Sequence, residues 1–147
     1  MEAAQGKRVG GERVSLGRLL WVGPLAAIAA VAANAVVYFV AVALGATPQG
    51  FVIEGKGGPL GLQQVISSFC DRGGGATAMF TIVALLARRR RPILAFRIVA
   101  AVVLALSCLA PPTIPGAPIS MILTLELMHV VAAVVIVGLL TTLARAR

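Results

Sequence analysis

The sequence contains few of the residues that form metal, redox and disulfide centres. Among its 147 residues are one histidine and two cysteines, and the cysteines, Cys70 and Cys108, do not form a Cys-x-x-Cys pair. One histidine excludes bis-histidine haem ligation within a single chain, and the missing pair argues against a thiol–disulfide enzyme. Two cysteines are also too few for a disulfide-rich secreted module. We therefore predict no metal and no cofactor, and we favour a protein that is not an enzyme.

Charged residues are scarce as well. Only 12% of the residues are charged, whereas 59% are hydrophobic, which lies outside the composition of soluble globular domains. A net charge of +8 is also found in nucleic-acid-binding proteins, but here the arginines flank apolar stretches, where they orient a chain in a membrane. The sequence therefore predicts an all-α integral membrane protein that binds no nucleic acid.

Four apolar stretches follow a basic tail at residues 1–18 and predict a four-helix transmembrane domain over residues 19–144. The predicted spans are residues 19–44, 66–87, 93–110 and 119–143. The second span is the least regular, because its clean apolar run, residues 76–87, is too short to cross a bilayer alone at ~1.5 Å per residue. It must recruit residues 66–75; the alternative is that residues 60–72 lie on the membrane surface.

Basic residues cluster in the N-terminal tail, between the second and third spans, and at the C-terminus. The two other connections carry almost none, so the positive-inside rule places both termini in the cytoplasm. This pattern predicts a multi-pass membrane protein. The cluster between spans is expected to contact anionic lipid headgroups on the cytoplasmic side. It consists of Arg88, Arg89, Arg90 and Arg91.

Each predicted span carries polar side chains in its outer half, at a similar depth. At a rise of ~1.5 Å per residue these side chains lie roughly 21–25 Å from the cytoplasmic boundary. They are Asn34 in the first span, Asp71 and Arg72 in the second, Ser107 and Cys108 in the third, and Glu126 and His129 in the fourth. Glu126 and His129 are three residues apart and so share one helix face. Because a lone charge in hydrocarbon is costly, we predict that Arg72 pairs with Glu126 and Asp71 with His129, with Asn34 nearby.

This polar layer has two interpretations. In the first, its side chains form interhelical polar contacts that set the register of the bundle. In the second, they line an outward-facing cavity that binds a ligand or an ion. Cys70 and Cys108 also lie at similar estimated heights, which leaves a structural disulfide between them as an open alternative.

The layout of the chain resembles an uncharacterised family of small bacterial four-span membrane proteins. The resemblance rests on an Ala- and Val-rich first span containing Asn34, a basic segment before the third span, and the run Leu127 to Ala133 in the last. It implies a multi-pass, four-span fold in the bacterial inner (cytoplasmic) membrane and no particular activity.

We therefore expect a binding, transport-accessory or partner-subunit role centred on the polar layer. Two alternatives stay open: a membrane-embedded enzyme or redox component that uses Glu126 and His129, and a purely structural assembly subunit. The partners we expect are the bilayer and another membrane subunit or a second copy of the chain.

Overall fold

The computed structural model describes residues 15–47, 75–82 and 91–144, and these residues form helices and turns without a strand. The helices are α1 (Leu16–Ala43), α2 (residues 75–82), α3 (Pro92–Ser107) and α4 (Ile119–Leu143), with a short 3-10 helix at Pro111–Thr113. Three segments are long and apolar enough to cross a membrane: Gly17–Ala43, Pro92–Thr113 and Ile119–Leu143. The chain is thus an all-helical protein with the features of a multi-pass membrane protein.

The bounds of the long helices can be compared with the predicted apolar stretches. α4 has the predicted bounds, whereas α1 begins at Leu16, three residues before the predicted start. Pro24 consequently lies inside α1, where it cannot donate a hydrogen bond to the carbonyl group one turn earlier. α3 ends at Ser107 instead of residue 110, since the chain turns before entering the 3-10 helix at Pro111. Of the predicted second span, residues 75–82 are helical and the remainder lies outside the described residues.

α1 and α4 pack against each other through narrow stripes of small and medium side chains. The buried residues of both helices recur every four positions: Val22, Ala26, Ala30 and Asn34 in α1, and Met128, Ala132, Ile136 and Leu140 in α4. Rows of this spacing form the ridges that interlock between packed helices. The alanines allow the two backbones to approach closely, which is how membrane helices associate when lipid supplies no hydrophobic driving force between them.

A hydrogen bond joins α1 and α4 at each end of this antiparallel pair. The backbone N–H of Ser15 donates to the carbonyl oxygen of Ala144 at 3.0 Å, and the Ser120 hydroxyl donates to the carbonyl oxygen of Ala46 at 2.9 Å. We call the first the terminal end of the bundle and the second the loop end. The beginning of α1 and the end of α4 therefore lie together at the terminal end.

α2 and α3 pack against the terminal half of this pair. The Arg97 guanidinium donates to the Thr141 hydroxyl at 3.3 Å, which places the first turns of α3 beside the last turns of α4. The rings of Phe80 and Phe96, both fully buried, lie 4.4 Å apart between centroids. α3 therefore begins at the terminal end and is antiparallel to α4.

The outward faces of the helices are apolar. Leu20, Ile28, Val36, Ile98 and Val134 each expose more than half of their surface. In water such faces would be an aggregation hazard, whereas in a bilayer they meet lipid tails of the same polarity.

Candidate functional site

A cavity of about 290 Å³ lies between α2, α3 and α4. It exists because α3 packs closely only at its beginning. Pro92, Ile93 and Phe96 are buried, but no residue of α3 after Phe96 is. The later part of α3 is therefore less tightly packed than its beginning, and the cavity extends along it as far as Ser107.

The lining of this cavity is apolar along most of its length and polar at one end. Met79, Phe96, Ala100 and Ile136 line its apolar part, together with other small and aliphatic side chains. The polar side chains of the lining, Ser107 and His129, come from the parts of α3 and α4 nearer the loop end. A mostly apolar pocket with a few convergent polar groups is the usual form of a small-molecule site.

The imidazole of His129 is held by its own helix. Its Nδ1 lies 2.6 Å from the carbonyl oxygen of Leu125. Since a carbonyl oxygen only accepts hydrogen bonds, Nδ1 carries the hydrogen and acts as the donor. This contact fixes the orientation of the half-buried ring at the polar end of the cavity.

The Ser107 hydroxyl differs from the hydroxyls of four helical threonines. The hydroxyls of Thr81, Thr124, Thr141 and Thr142 each donate to the carbonyl oxygen four residues earlier, at 2.7–2.9 Å. Ser107, half-buried in the last turn of α3, makes no side-chain hydrogen bond within the described part of the chain. Its hydroxyl is therefore left to face the cavity that it lines.

Asn34 lies in the α1–α4 interface at the same depth as His129. Counting along both helices from each of the two inter-helix hydrogen bonds places Asn34 opposite the stretch from Leu125 to Ala132, at ~1.5 Å per residue. The residue is fully buried, and its Nδ2 donates to the carbonyl oxygen of Ala30 at 3.0 Å. Its Oδ1 has no hydrogen-bond donor in the described structure. Asn34 is thus level with His129 along the bundle but outside the cavity lining.

Glu126 is half-buried, one turn beyond His129 toward the loop end, and pairs with no residue within 15–47, 75–82 or 91–144. Asn34, Glu126 and His129 therefore share a depth without bonding to one another. The predicted partners Asp71 and Arg72 lie outside the described residues, so the pairing stays a prediction.

The remaining predicted site residues lie near the ends of α3. Cys108 follows α3 at the loop end, is half-buried and carries a free thiol, so it forms no disulfide here; Cys70 lies outside the described residues. Arg91 caps the start of α3 and is exposed, as a contact with lipid headgroups requires. The other members of that cluster, Arg88, Arg89 and Arg90, also lie outside the described residues.

The polar side chains of the cavity lining, Ser107 and His129, can form hydrogen bonds with a bound molecule. Within residues 15–47, 75–82 and 91–144, no three His, Cys, Asp or Glu side chains converge as a metal site requires. Sequence reasoning singled out His129 by residue type and noted Ser107 only by its depth. It missed the apolar lining around Phe96 and Ala100, because an apolar side chain in a membrane helix carries no signal that distinguishes a cavity wall from a lipid contact.

Comparison with known proteins agrees with the expected resemblance to an uncharacterised family. No curated protein and no solved structure matches the chain. A family profile does match, and it extends over residues 14–146, which include all the helices described above. The chain therefore belongs to the family of unknown function DUF6069.

Proposed function

We propose that this chain is a four-span protein of the bacterial inner membrane that binds a small, largely apolar molecule in the cavity between α2, α3 and α4. The role is that of a binding or accessory subunit. The observation that supports it is the cavity itself, because an apolar space with polar groups at one end has the form of a ligand site.

The path of the chain supports a fourth span. α1 ends at the loop end, whereas α3 begins at the terminal end, which is the arrangement expected if the chain crosses the membrane once more between them. α2 lies on that return path, because Thr77 contacts α1 at Gly23 and Phe80 contacts α3 at Phe96. A second crossing that contains residues 75–82 accounts for both contacts.

The distribution of charge supports a cytoplasmic terminal end. Arg18 and Arg91 lie near the starts of α1 and α3, and Arg145 and Arg147 follow α4 in the sequence. Residues 44–47 and 108–118, at the loop end, contain no lysine or arginine. By the positive-inside rule the terminal end faces the cytoplasm and its anionic lipid headgroups.

Reporter fusions test this topology. Green fluorescent protein fused to either terminus of the full chain should fluoresce, and alkaline phosphatase fused after Thr47 should be active on the outer side. Termini on opposite sides of the membrane would contradict the four-span proposal.

The cavity has room for a ligand of modest size. A water molecule in the liquid occupies about 30 Å³, so 290 Å³ corresponds to roughly ten groups of that size. Trifluorotoluene, with about ten non-hydrogen atoms, is therefore a suitable probe, and its fluorine nuclei report binding directly by NMR.

We expect the protein in detergent micelles to give a separate, saturable fluorine resonance for bound trifluorotoluene. Ala133→Phe should abolish it, because Ala133 lines the cavity and a phenyl group would fill much of the space. The matched control is Val134→Phe on the same helix turn, since Val134 is 67% exposed on the outward face. If neither the native protein nor the control binds the probe saturably, the proposed function is wrong.

A further inference from the structure

The position of the polar groups in the cavity identifies a ligand class, and this inference rests on the proposed function. We propose that the cavity takes an uncharged amphiphile with a hydroxyl head and a short hydrocarbon tail. The head lies against the Ser107 hydroxyl near the loop end, and the tail extends along α3 toward Phe96.

The polar and apolar groups of the cavity lining are separated along its length. Ser107 and His129 lie toward the loop end, whereas Phe96 and Ile136 lie in the terminal half. The Phe80 ring packs against Phe96 on its other side and backs this part of the wall. A ligand that satisfies both regions must itself be polar at one end and apolar at the other.

The hydrogen bonding of the Ser107 hydroxyl indicates the kind of head group. It makes no hydrogen bond in the described structure, although it could donate to its own helix as the threonines do. A hydroxyl both donates and accepts, so it pairs with another hydroxyl in either direction. An alcohol head therefore pairs with Ser107 without any change in the helix.

The charge of the cavity lining also limits the head group. Among the described residues, the imidazole of His129 is the only ionisable side chain that lines the cavity, and no Asp, Glu, Lys or Arg does. Of the charged residues within 15–47, 75–82 and 91–144, Glu126 lies one turn beyond His129, and the Arg97 guanidinium bonds to Thr141 at the terminal end. Because burying an unpaired charge costs far more than burying a hydroxyl, a neutral head is favoured over an ionised one.

The length and volume of the cavity limit the size of the ligand. The segment of α3 from Phe96 to Ser107 is about 16 Å long at a rise of ~1.5 Å per residue. An extended eight-carbon alcohol is shorter than this and has fewer non-hydrogen atoms than the roughly ten groups that the volume allows. 1-Octanol is therefore the probe of choice, with n-octane as its apolar counterpart and octylammonium as its charged one.

The test is competition against bound trifluorotoluene, with each concentration corrected for partition into the micelle. In the native protein 1-octanol should displace the probe at a concentration about 2- to 10-fold lower than n-octane, the effect of one net hydrogen bond. Ser107→Ala should remove this difference by weakening 1-octanol alone, and Ser107→Thr should restore it. Thr124→Ala is the matched control, because its hydroxyl bonds to its own helix outside the cavity lining and its removal should change neither competitor.

The outcomes separate the inference from the function on which it rests. Equal displacement by 1-octanol and n-octane, with the probe bound, overturns the hydroxyl head but leaves the binding site standing. Stronger displacement by octylammonium than by 1-octanol overturns it in favour of a cationic ligand. Absence of any bound probe refutes the proposed function and this inference with it. Unchanged n-octane competition in Ser107→Ala shows that the variant is folded.

Discussion

A methyl group at Gly23 would overlap the side chain of Thr77, where α1 meets α2. A Cβ atom built on Gly23 lies 2.6 Å from Cγ2 and 2.8 Å from Oγ1 of Thr77, closer than real Cβ contacts. The β-branched side chain of threonine has few rotamers in a helix, so it cannot easily turn aside. Gly23→Ala should therefore push α2 away from α1.

Gly138 provides the matched control, since it lies inside α4 and a Cβ there meets no atom within 4 Å. Gly138→Ala should stabilise the protein by up to about 1 kcal/mol, the difference in helix propensity. Gly23→Ala gains the same amount but loses about 1–3 kcal/mol through overpacking. The free energies of unfolding of the two variants should thus differ by about 1–3 kcal/mol, or by roughly 4–12 °C in Tm for a chain of this size.

Thermal unfolding in detergent, followed by circular dichroism, measures this difference. The double variant Gly23→Ala/Thr77→Ala should recover most of the loss, because it removes the two overlapping atoms. If Gly23→Ala is at least as stable as Gly138→Ala, α1 and α2 do not pack as described and the argument for a second crossing loses one of its two contacts.

Three further predictions concern the α1–α4 pair and its neighbour α3. Asn34→Leu should leave the free energy of unfolding unchanged or raise it by about 1 kcal/mol, since it removes a buried carbonyl without a donor; a clear loss in thermal unfolding would reveal an undetected partner. Cysteines at Ser15 and Ala144, in a background without native cysteines, should cross-link on oxidation and shift the mobility of the band, because these backbones share a 3.0 Å hydrogen bond, whereas Ser15 with Ser120 should not. Arg97→Leu should cost less than about 1 kcal/mol in denaturant unfolding, because its one cross-helix hydrogen bond is 3.3 Å long and its side chain is exposed.

The sequence alone predicts where the long helices lie, because proline and arginine punctuate the apolar runs. α4 lies between Pro118 and Arg145, and the helix coincides with the apolar stretch 119–143. The start of α1 was predicted too late because polar residues such as Arg18 were assigned to the tail, whereas a helix continues past the edge of the apolar run when its backbone hydrogen bonds continue.

The sequence predicts the level of the candidate site residues along the helices, but not the direction in which their side chains point. Rise per residue determines depth, so Asn34, Glu126 and His129 could be placed at one level from the sequence. Direction around each helix depends on which faces pack together, and all sides of these helices are apolar. The looser packing of α3 beyond Phe96, where the cavity lies, is likewise a property of tertiary packing that no local pattern carries.

The pairing of the first helix with the last has a consequence for biogenesis. About 100 residues separate Ala43 from Leu143, which the ribosome translates in roughly 5–20 s. During that interval α1 is already synthesised while its main packing partner is not. The polar amide of Asn34 is buried by α4 in the finished bundle. Until α4 is made, this amide needs hydrogen bonds from the insertion machinery or from water. A chain truncated before Ile119 should therefore leave this amide facing lipid and be a substrate for membrane quality-control proteases.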